Sequence, residues 1–595
     1  MSANEKIKTP TVIHTHLWGI NLRYVFICLM VFAAGVCALI SVAIFMEQEN
    51  DQAWLWHKIS LGLFVTAFVG PPVASFSVRH YQLTRQDLFA FISLVAVCGL
   101  AWWLRIYHLD GFPANVFFDE ADNANYALRI VRNVNFDPVY VESTNLPAHF
   151  LYVIAWMFQR YGADPIVLRY ASVAFGSASV AVAFLLFRRW FRWPIAFVGA
   201  FFLAVMREHL TFSRLAMHGI TVPFFVMLVL YLLDRAWVHR RLFDWAMLGL
   251  ALGLSLCFYT PLRLLVPLVI AYLSVAGLWA VARHKIDFRQ LIAPTVVVLI
   301  GCALAVAPFA QFALRKPNEV FARTNEVSLL NADKRLVKSL PQALWNQISQ
   351  HVLMFNVRGD SNGRQNLPGA PLLDPIMGTL FVIGILMALL RLNKRQNALM
   401  LLVFVVMLLP GILSLEIEAP HALRSIGTLP AVIYFACLPL AWLLQRFQNV
   451  PRSLKTSLVS VLCIATGLYN YNWFFNVQAN DPRVWAAYSP AESIVAREVN
   501  QLMGDSDVIL SDNFRYQPIA EFLIRDLSRI QSWNGQTALS LPAQRARDLV
   551  IIVEPHLQDQ LKPLQSTCPA AILQPIVSPI DQSPLAYRLR IPRQC

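Results

Sequence analysis

Charge is scarce in this sequence. Asp, Glu, Lys and Arg make up 14% of its 595 residues, against about 25% in soluble domains, while 57% are hydrophobic. A water-soluble globule is excluded. Disorder is excluded as well, because 39 Phe, 16 Trp and 17 Tyr supply more apolar surface than unfolded segments carry. Acids are the rarer sign: 35 Asp and Glu stand against 49 Lys and Arg, a net charge of +14. In so apolar a chain this excess is first a topology signal, and nucleic acid is not an expected partner. Cysteine spacing of the metal-binding kind is absent. The nine Cys, at 28, 37, 98, 257, 302, 437, 463, 568 and 595, form no C-x-x-C pair. Seven sit in apolar segments as small hydrophobes. Only Cys568 and Cys595 lie in a polar region, where an oxidising compartment would permit a disulfide.

What is present is a series of long apolar runs. A bilayer core of about 30 Å needs about 20 apolar residues in a helix. Thirteen candidate spans fit or approach this, at 24–46, 54–77, 88–106, 166–187, 194–206, 220–233, 243–259, 264–282, 291–312, 376–390, 398–413, 427–444 and 454–475. Lys6, Lys8 and Arg23 precede the first run, which is too long for a signal-peptide core and reads as a retained helix.

With a cytoplasmic N-terminus, alternate connections should be basic. They are: Arg79/Arg85, Arg188/Arg189/Arg192, Arg235/Arg240/Arg241, Arg283/Lys285/Arg289, Arg391/Lys394/Arg395 and Arg446/Arg452/Lys455 fall on one side. The first opposite connection carries Glu47, Glu49 and Asp51 and no base. That opposite, external side receives the longer connections, 107–165, 313–375 and 414–426. From Asp481 onward the composition changes, with 23 charged residues in 115 against 61 in the first 480. Short β-like runs (Asp507 to Leu510, Leu549 to Val553, Ala586 to Ile591) alternate there with helix-like stretches such as Pro490 to Met503, which predicts a small soluble α/β domain on the external face. The expected organisation is a tail and two-helix membrane extension over 1–85, a transmembrane domain over 86–478 and a soluble domain over 479–595.

Candidate chemistry gathers on that external side. Asp119 and Glu120 follow Phe117 and Phe118 at the start of a helical stretch. Two readings are open: the acids cap that helix through its dipole, or a carboxylate serves as general base towards a hydroxyl nucleophile. Arg214 and His218 are four apart on one helix face, as an interfacial snorkelling pair or as a clamp for a lipid phosphate. In Tyr259-Thr260-Pro261-Leu262-Arg263 the proline predicts a turn, and Arg263 is a cation between apolar runs with no acid nearby in sequence, a pattern that usually has a partner or a function. The stretch Arg358 to Gly369 contains Asp360, Asn362 and Arg364 among turn-forming residues, and lacks the remaining ligands of a calcium loop. His421 and Arg424 precede the twelfth span. Tyr259, His218, His421, Asp360, Asn362 and Arg364 are therefore candidate substrate-binding residues.

Over roughly 100–480 the pattern resembles the GT-C glycosyltransferases, in the branch of the protein O-mannosyltransferases and the lipid A aminoarabinose transferases. The resemblance is carried by Asp119-Glu120 in the first large external loop, by Leu146-Pro147-Ala148-His149-Phe150-Leu151-Tyr152 running to Arg169, and by Phe212-Ser213-Arg214-Leu215. Gly359 to Asp374 resembles a stretch of bacterial members. His218 departs from the pattern, which often has an acid there, and the two-helix extension lies outside it. The resemblance implies a mainly α, polytopic GT-C fold of about 13 transmembrane helices with a C-terminal α/β domain. It also implies an inverting transfer of a hexose or pentose from a polyprenyl-phosphate donor to a hydroxyl on a glycan, lipid or protein acceptor. Asp119 would be the base, Glu120 would position the acceptor or a divalent cation, and Arg214, Arg263 or Arg424 would hold the donor phosphate. No His/Cys metal-ligand set is evident. A bacterial inner-membrane enzyme of the cell envelope, active on the periplasmic side, is expected; the rival class is a transporter or flippase of a lipid-linked sugar.

Overall fold

The computed structural model describes residues 16–17, 20–47, 50–69, 84–132, 136–141, 143–285, 287–446, 450–536 and 546–594. Over its described residues each of the thirteen apolar runs is wholly or mostly helical, residues 70–77 of the second run lying outside the described residues. Among the described residues nine helices are long and apolar enough to cross a membrane, or ten if the pair Trp193–Val205 and Arg207–Ser213, bent by 59°, is one span. The expected thirteen is therefore a count of apolar helices rather than of full-length spans: Leu242–Ser255 and Pro375–Leu389 are shorter than 18 residues, and α2 (Asp51–Val69) carries Asp51 and Lys58. This is an integral membrane protein.

The extension consists of α1 (Leu22–Glu47) and α2. The first helix of the main bundle, α3 (Arg85–Ile106), opens with a capping box in which Thr84 and Asp87 serve each other's backbone N–H. The loop that follows holds α4 (Phe118–Arg132).

Close helix packing follows from small residues. A Cβ on Gly253 would lie 2.3 Å from the Cys302 carbonyl oxygen, and one on Gly249 would lie 2.5 Å from that of Val298. This small-x-x-x-small face brings Leu242–Ser255 backbone to backbone against Arg289–Arg315. At one end of the bundle Asp234 accepts hydrogen bonds from Arg189, Arg395 and, at 3.0 Å, from the Trp190 indole. Three of the basic connections thus meet at one end, as their alternation predicts. Of the expected basic set, Arg79 lies outside the described residues.

The C-terminal part contains a mixed five-stranded sheet in the order Gln531–Trp533, Ser506–Ser511, Asp548–Val553, Pro584–Ile591, Ile572–Val577. The first three strands are parallel and the last two antiparallel to their neighbours. The expected strands around 507, 549 and 586 are all present, and the expected helix is Pro490–Leu502. Cys568 is buried and disulfide-bonded, whereas its expected partner Cys595 lies outside the described residues. The seven cysteines of the apolar segments are free.

Candidate active site

Helix α4 starts with two acids in its first turn, where the N-terminal dipole favours them. Neighbouring residues on a helix point about 100° apart, and here the difference separates their environments. Glu120 is fully buried, and Asp119 is exposed. Glu120 is held by the Arg169 guanidinium, Nε to Oε1 at 3.1 Å and Nη2 to Oε2 at 3.2 Å. It also accepts from the backbone N–H groups of Ala216 at 2.9 Å and Phe117 at 3.2 Å. With four bonds its acceptor capacity is taken up, so its carboxylate is not available to an acceptor sugar or a cation in the way expected of it.

Arg169 does more than pair with Glu120. Its two terminal nitrogens donate to the carbonyls of Leu109, Pro113 and Asn115 at 3.3, 2.7 and 2.7 Å, fixing the loop that leads into α4. Arg214 does the same for the preceding turn. It is fully buried and donates to the carbonyls of Leu104, Arg105, Tyr107, His108 and Phe112 at 2.7–3.1 Å. These include the unsatisfied carbonyls at the end of α3. The expectation that Arg214 holds the donor phosphate is corrected on this ground: a guanidinium has five N–H donors, and backbone oxygens occupy all three of its nitrogens.

The surroundings of Asp119 are supplied by other segments. Although Asp119 is open to solvent, the segments crowded around it strip part of its carboxyl's hydration, and this partial desolvation pushes the carboxyl above the usual Asp range, against the pull of Arg364 and Arg323 and with a further push from Glu120. The guanidinium carbon of Arg364 lies over the Phe117 ring, 4.0 Å from its centre. Its Nε donates to Asn362 Oδ1 at 3.3 Å, and its own carbonyl accepts from the Tyr488 hydroxyl at 3.1 Å. Arg323 comes from the helix Pro317–Glu326. Asp122, one turn along α4, is pushed up to about 6 by burial and by the charges of Asp119 and Glu521.

Tyr259 ties this group to the polar segment before Ala422. Its phenol, raised by burial, feels the charges of Arg424, Arg323, Asp119 and Glu418, and its ring stacks on His218 at 6.4 Å. Arg424 pairs with Glu418 at 2.8 Å, and its Nη1 is buried without a partner. His421 is kept neutral by burial and by four neighbouring basic side chains, Arg424 first and then His351, Arg364 and Arg323. His351 Nε2 accepts its backbone N–H at 3.1 Å. Asp119, Arg323, Arg364, Tyr259, Arg424 and His421 therefore form one continuous charged recess on the loop face of the bundle.

The remaining candidates are placed differently. Asp360 is buried and accepts from the N–H groups of Asn362 at 2.7 Å and Ala422 at 2.9 Å, so it joins two loops and is corrected from a substrate contact to a scaffold residue. Asn362 orients Arg364. Arg263 donates to the Val320 carbonyl at 3.3 Å, between Phe309 and Phe321, and its charge acts on Tyr140. His218 is buried against Phe150, with ring centres 4.8 Å apart. Arg323, Arg169 and His351 are additions to the expected set. For Arg169 a signal existed, since it is a lone cation in an apolar run. Arg323, in a charged amphipathic helix, has nothing in sequence to separate it from a solvated face.

The C-terminal part braces the recess. Ser493 Oγ bonds the backbone N–H and carbonyl of Val116, both at 3.3 Å, and Arg497 donates to the Ala114 carbonyl at 2.9 Å. Asn125 of α4 donates to the Pro518 carbonyl at 2.9 Å and to Glu521 at 3.3 Å. Among the described residues no group of three His, Cys, Asp or Glu side chains could hold a metal ion.

This arrangement can be set beside known proteins. The structure of ArnT from Cupriavidus metallidurans in the apo state superposes with a TM-score of 0.53 at 12% identity, over 84% of this chain and 98% of that one. The chain has the GT-C fold. The same ArnT bound to undecaprenyl phosphate gives a TM-score of 0.50 at 13% identity, over 84% and 97% of the two chains. A family model described as dolichyl-phosphate-mannose-protein mannosyltransferase matches residues 146–310. That stretch includes Arg169, Arg214, His218, Tyr259 and Arg263 and stops short of Asp119, Arg323, Arg364 and Arg424. A search of the curated proteins finds no match. Within the GT-C fold of this chain, the matched stretch thus holds much of the scaffold, and the charged recess is completed by segments on either side of it.

Proposed function

We propose that this protein transfers a hexose or pentose, with inversion, from a polyprenyl-phosphate donor to a hydroxyl acceptor at the loop face of the membrane. The observation that carries this reading is the placement of Asp119: of two adjacent acids it alone opens to solvent, beside Arg364 and Arg323. In a single displacement the acceptor oxygen bonds to the anomeric carbon as the bond from that carbon to the phosphate oxygen breaks. Asp119 takes the hydroxyl proton. The departing lipid phosphate keeps the bonding electrons and is met by Arg364, Arg323 and Arg424, which are in place before the charge forms. Glu120 and Arg169 act as positioning residues for the loop that presents Asp119. The ArnT structure that holds undecaprenyl phosphate supports a lipid phosphate as leaving group.

The domain division at about 85 and 478 belongs to this proposal, with 479–595 bracing the recess. So does a bacterial inner-membrane location with the recess on the periplasmic side, for which the disulfide at Cys568, set against seven free cysteines in the apolar part, is the supporting observation.

The reading is tested by incubating the purified protein with radiolabelled polyprenyl-phosphate sugars and a membrane extract, then determining the anomeric configuration of the product. Transfer with inverted configuration is expected. Retained configuration, or no transfer from any lipid-linked sugar, would rule the reading out.

A further inference from the structure

Away from the recess, two hollows lie end to end along one seam of the bundle. The helices α1 and Arg289–Arg315 run side by side, and Arg315 donates to the Met46 carbonyl at 2.9 Å where both reach the loop face. Lower on the seam is an apolar groove of about 400 Å³ whose walls include Gly35, Leu39, Ala303 and Ala307. Where the two helices end, the seam opens into a cavity of about 630 Å³ walled by Phe45, Phe312, Arg315 and Lys316 and, across from them, by Tyr126 and Tyr140. The last groove residues and the first cavity residues are Val42 and Phe45 on one helix and Ala307 and Gln311 on the other. Those steps of three and four residues are about 5 and 6 Å of helix, so the hollows adjoin.

Their chemistry changes along the seam in the order of a lipid molecule. The groove is almost wholly apolar. The cavity has aromatic walls with cations at the rim, the composition found where proteins meet head groups. Lys316 pairs with Glu319 at 3.3 Å and lies over the Phe312 ring at 5.6 Å. Arg129 stands over Phe136 on the opposite wall at 4.1 Å, and the charge of Arg263 reaches Tyr140. Among the described residues Arg315 and Lys316 line the cavity and Glu319 is the acid paired with Lys316, and a guanidinium offers a phosphate a planar fork of donors. The extension supplies one side of the whole path.

We propose that this seam is a binding site for an anionic phospholipid-type amphiphile, with a chain in the groove between α1 and Arg289–Arg315 and its phosphate in the cavity. The site lies on the same helix as the recess: Tyr126 is seven residues from Asp119, two turns on the same face of α4 and about 10 Å along its axis. The two-helix extension is thereby assigned a role, that of forming a lipid port next to the recess. Binding here does not depend on Asp119 chemistry and is read without turnover.

The test uses the full-length protein in detergent, equilibrated with phosphatidylglycerol, phosphatidylcholine or an isoprenyl phosphate, with bound lipid counted by native mass spectrometry. One or both anionic lipids should be retained well above phosphatidylcholine. The double variant Arg315→Gln/Lys316→Gln should lower anionic-lipid retention by about thirtyfold, the size expected for two head-group cations. Gly35→Trp should lower retention of every lipid. A Cβ on Gly35 meets nothing within 4 Å, so the new side chain starts into open space, and an unchanged melting temperature checks that the indole is accommodated. Retention of phosphatidylglycerol alone that is lost in the seam variants assigns the port to bulk lipid, and retention of isoprenyl phosphate alone that is lost in the seam variants assigns it to a carrier lipid. Asp119→Asn should retain lipid as wild type does. Equal retention of all three lipids by wild type, or anionic-lipid retention unchanged in both seam variants, overturns the proposal.

Discussion

Glu120 and Arg169 meet through two parallel hydrogen bonds of 3.1 and 3.2 Å, both side chains almost completely shielded from solvent. The pair stands one residue from Asp119. A paired buried charge is stable, but removing one partner strands the other, at a cost of about 3–5 kcal/mol. Glu120→Gln and Arg169→Ala should each lower the thermal midpoint sharply and reduce folded yield. Differential scanning fluorimetry in detergent checks this; a melting temperature equal to wild type would show that the pair is not structural.

The two arginines that sequence reasoning treats alike, Arg214 and Arg424, should separate in experiment. Arg214→Lys removes the fork that serves the end of α3 and should destabilise the protein while leaving donor affinity of the folded fraction nearly unchanged. Arg424→Ala and Arg364→Ala should keep the melting temperature within a few degrees and weaken donor binding by about tenfold or more, since hydrogen bonds to charged groups contribute about 1.5–3 kcal/mol. Titration of each variant with a polyprenyl-phosphate sugar distinguishes the two patterns.

The pH dependence follows from the carboxyls of α4. On the proposed reading Asp119 can act as base only when ionised, so activity should be present above its pKa and be lost as pH falls through it. Because burial raises that pKa, the acid limb should lie above the ordinary Asp value of about 3.9. Asp122 is raised to about 6. A carboxyl raised in the folded state favours folding below its unfolded pKa, and that contribution is lost as pH rises through about 6. Asp122→Asn should therefore stabilise the protein at pH 7, with the gain vanishing below about pH 4. Melting curves and initial rates from pH 4 to 8 test both.

Close helix contact gives a prediction remote from the recess. Any side chain at Gly253 meets backbone rather than a movable side chain, so Gly253→Leu should cost more than the about 1–3 kcal/mol of ordinary overpacking. Gly35→Ala, with open space around it, should be neutral. Comparing the two melting temperatures checks the packing.

Much of the fold is legible in the sequence because a bilayer imposes length and hydropathy on every helix, and because the basic loops alternate. The failures have physical causes. Leu242–Ser255 and Pro375–Leu389 look like spans by hydropathy, but their helices are shorter than a full crossing. In the recess, Asp119, Tyr259, Arg364 and Arg424 were legible as polar groups in the connections of one side. Arg214 and Asp360 were misread because the same side chains that bind phosphates and substrates also satisfy backbone carbonyls and N–H groups, and only the three-dimensional contacts reveal which. Arg323 was missed because an arginine on an amphipathic helix, spaced regularly among Glu319 and Glu326, has the pattern of a solvated face.

On the proposed reading Asp119 deprotonates the acceptor while neighbouring arginines hold the donor phosphate. The most direct measurement is single-turnover transfer from a labelled polyprenyl-phosphate sugar by wild type and Asp119→Asn, with bound donor quantified in the same samples. The variant is expected to retain donor and stability yet lose transfer by about 10²-fold or more. Transfer at the wild-type rate by a donor-loaded Asp119→Asn protein would contradict it.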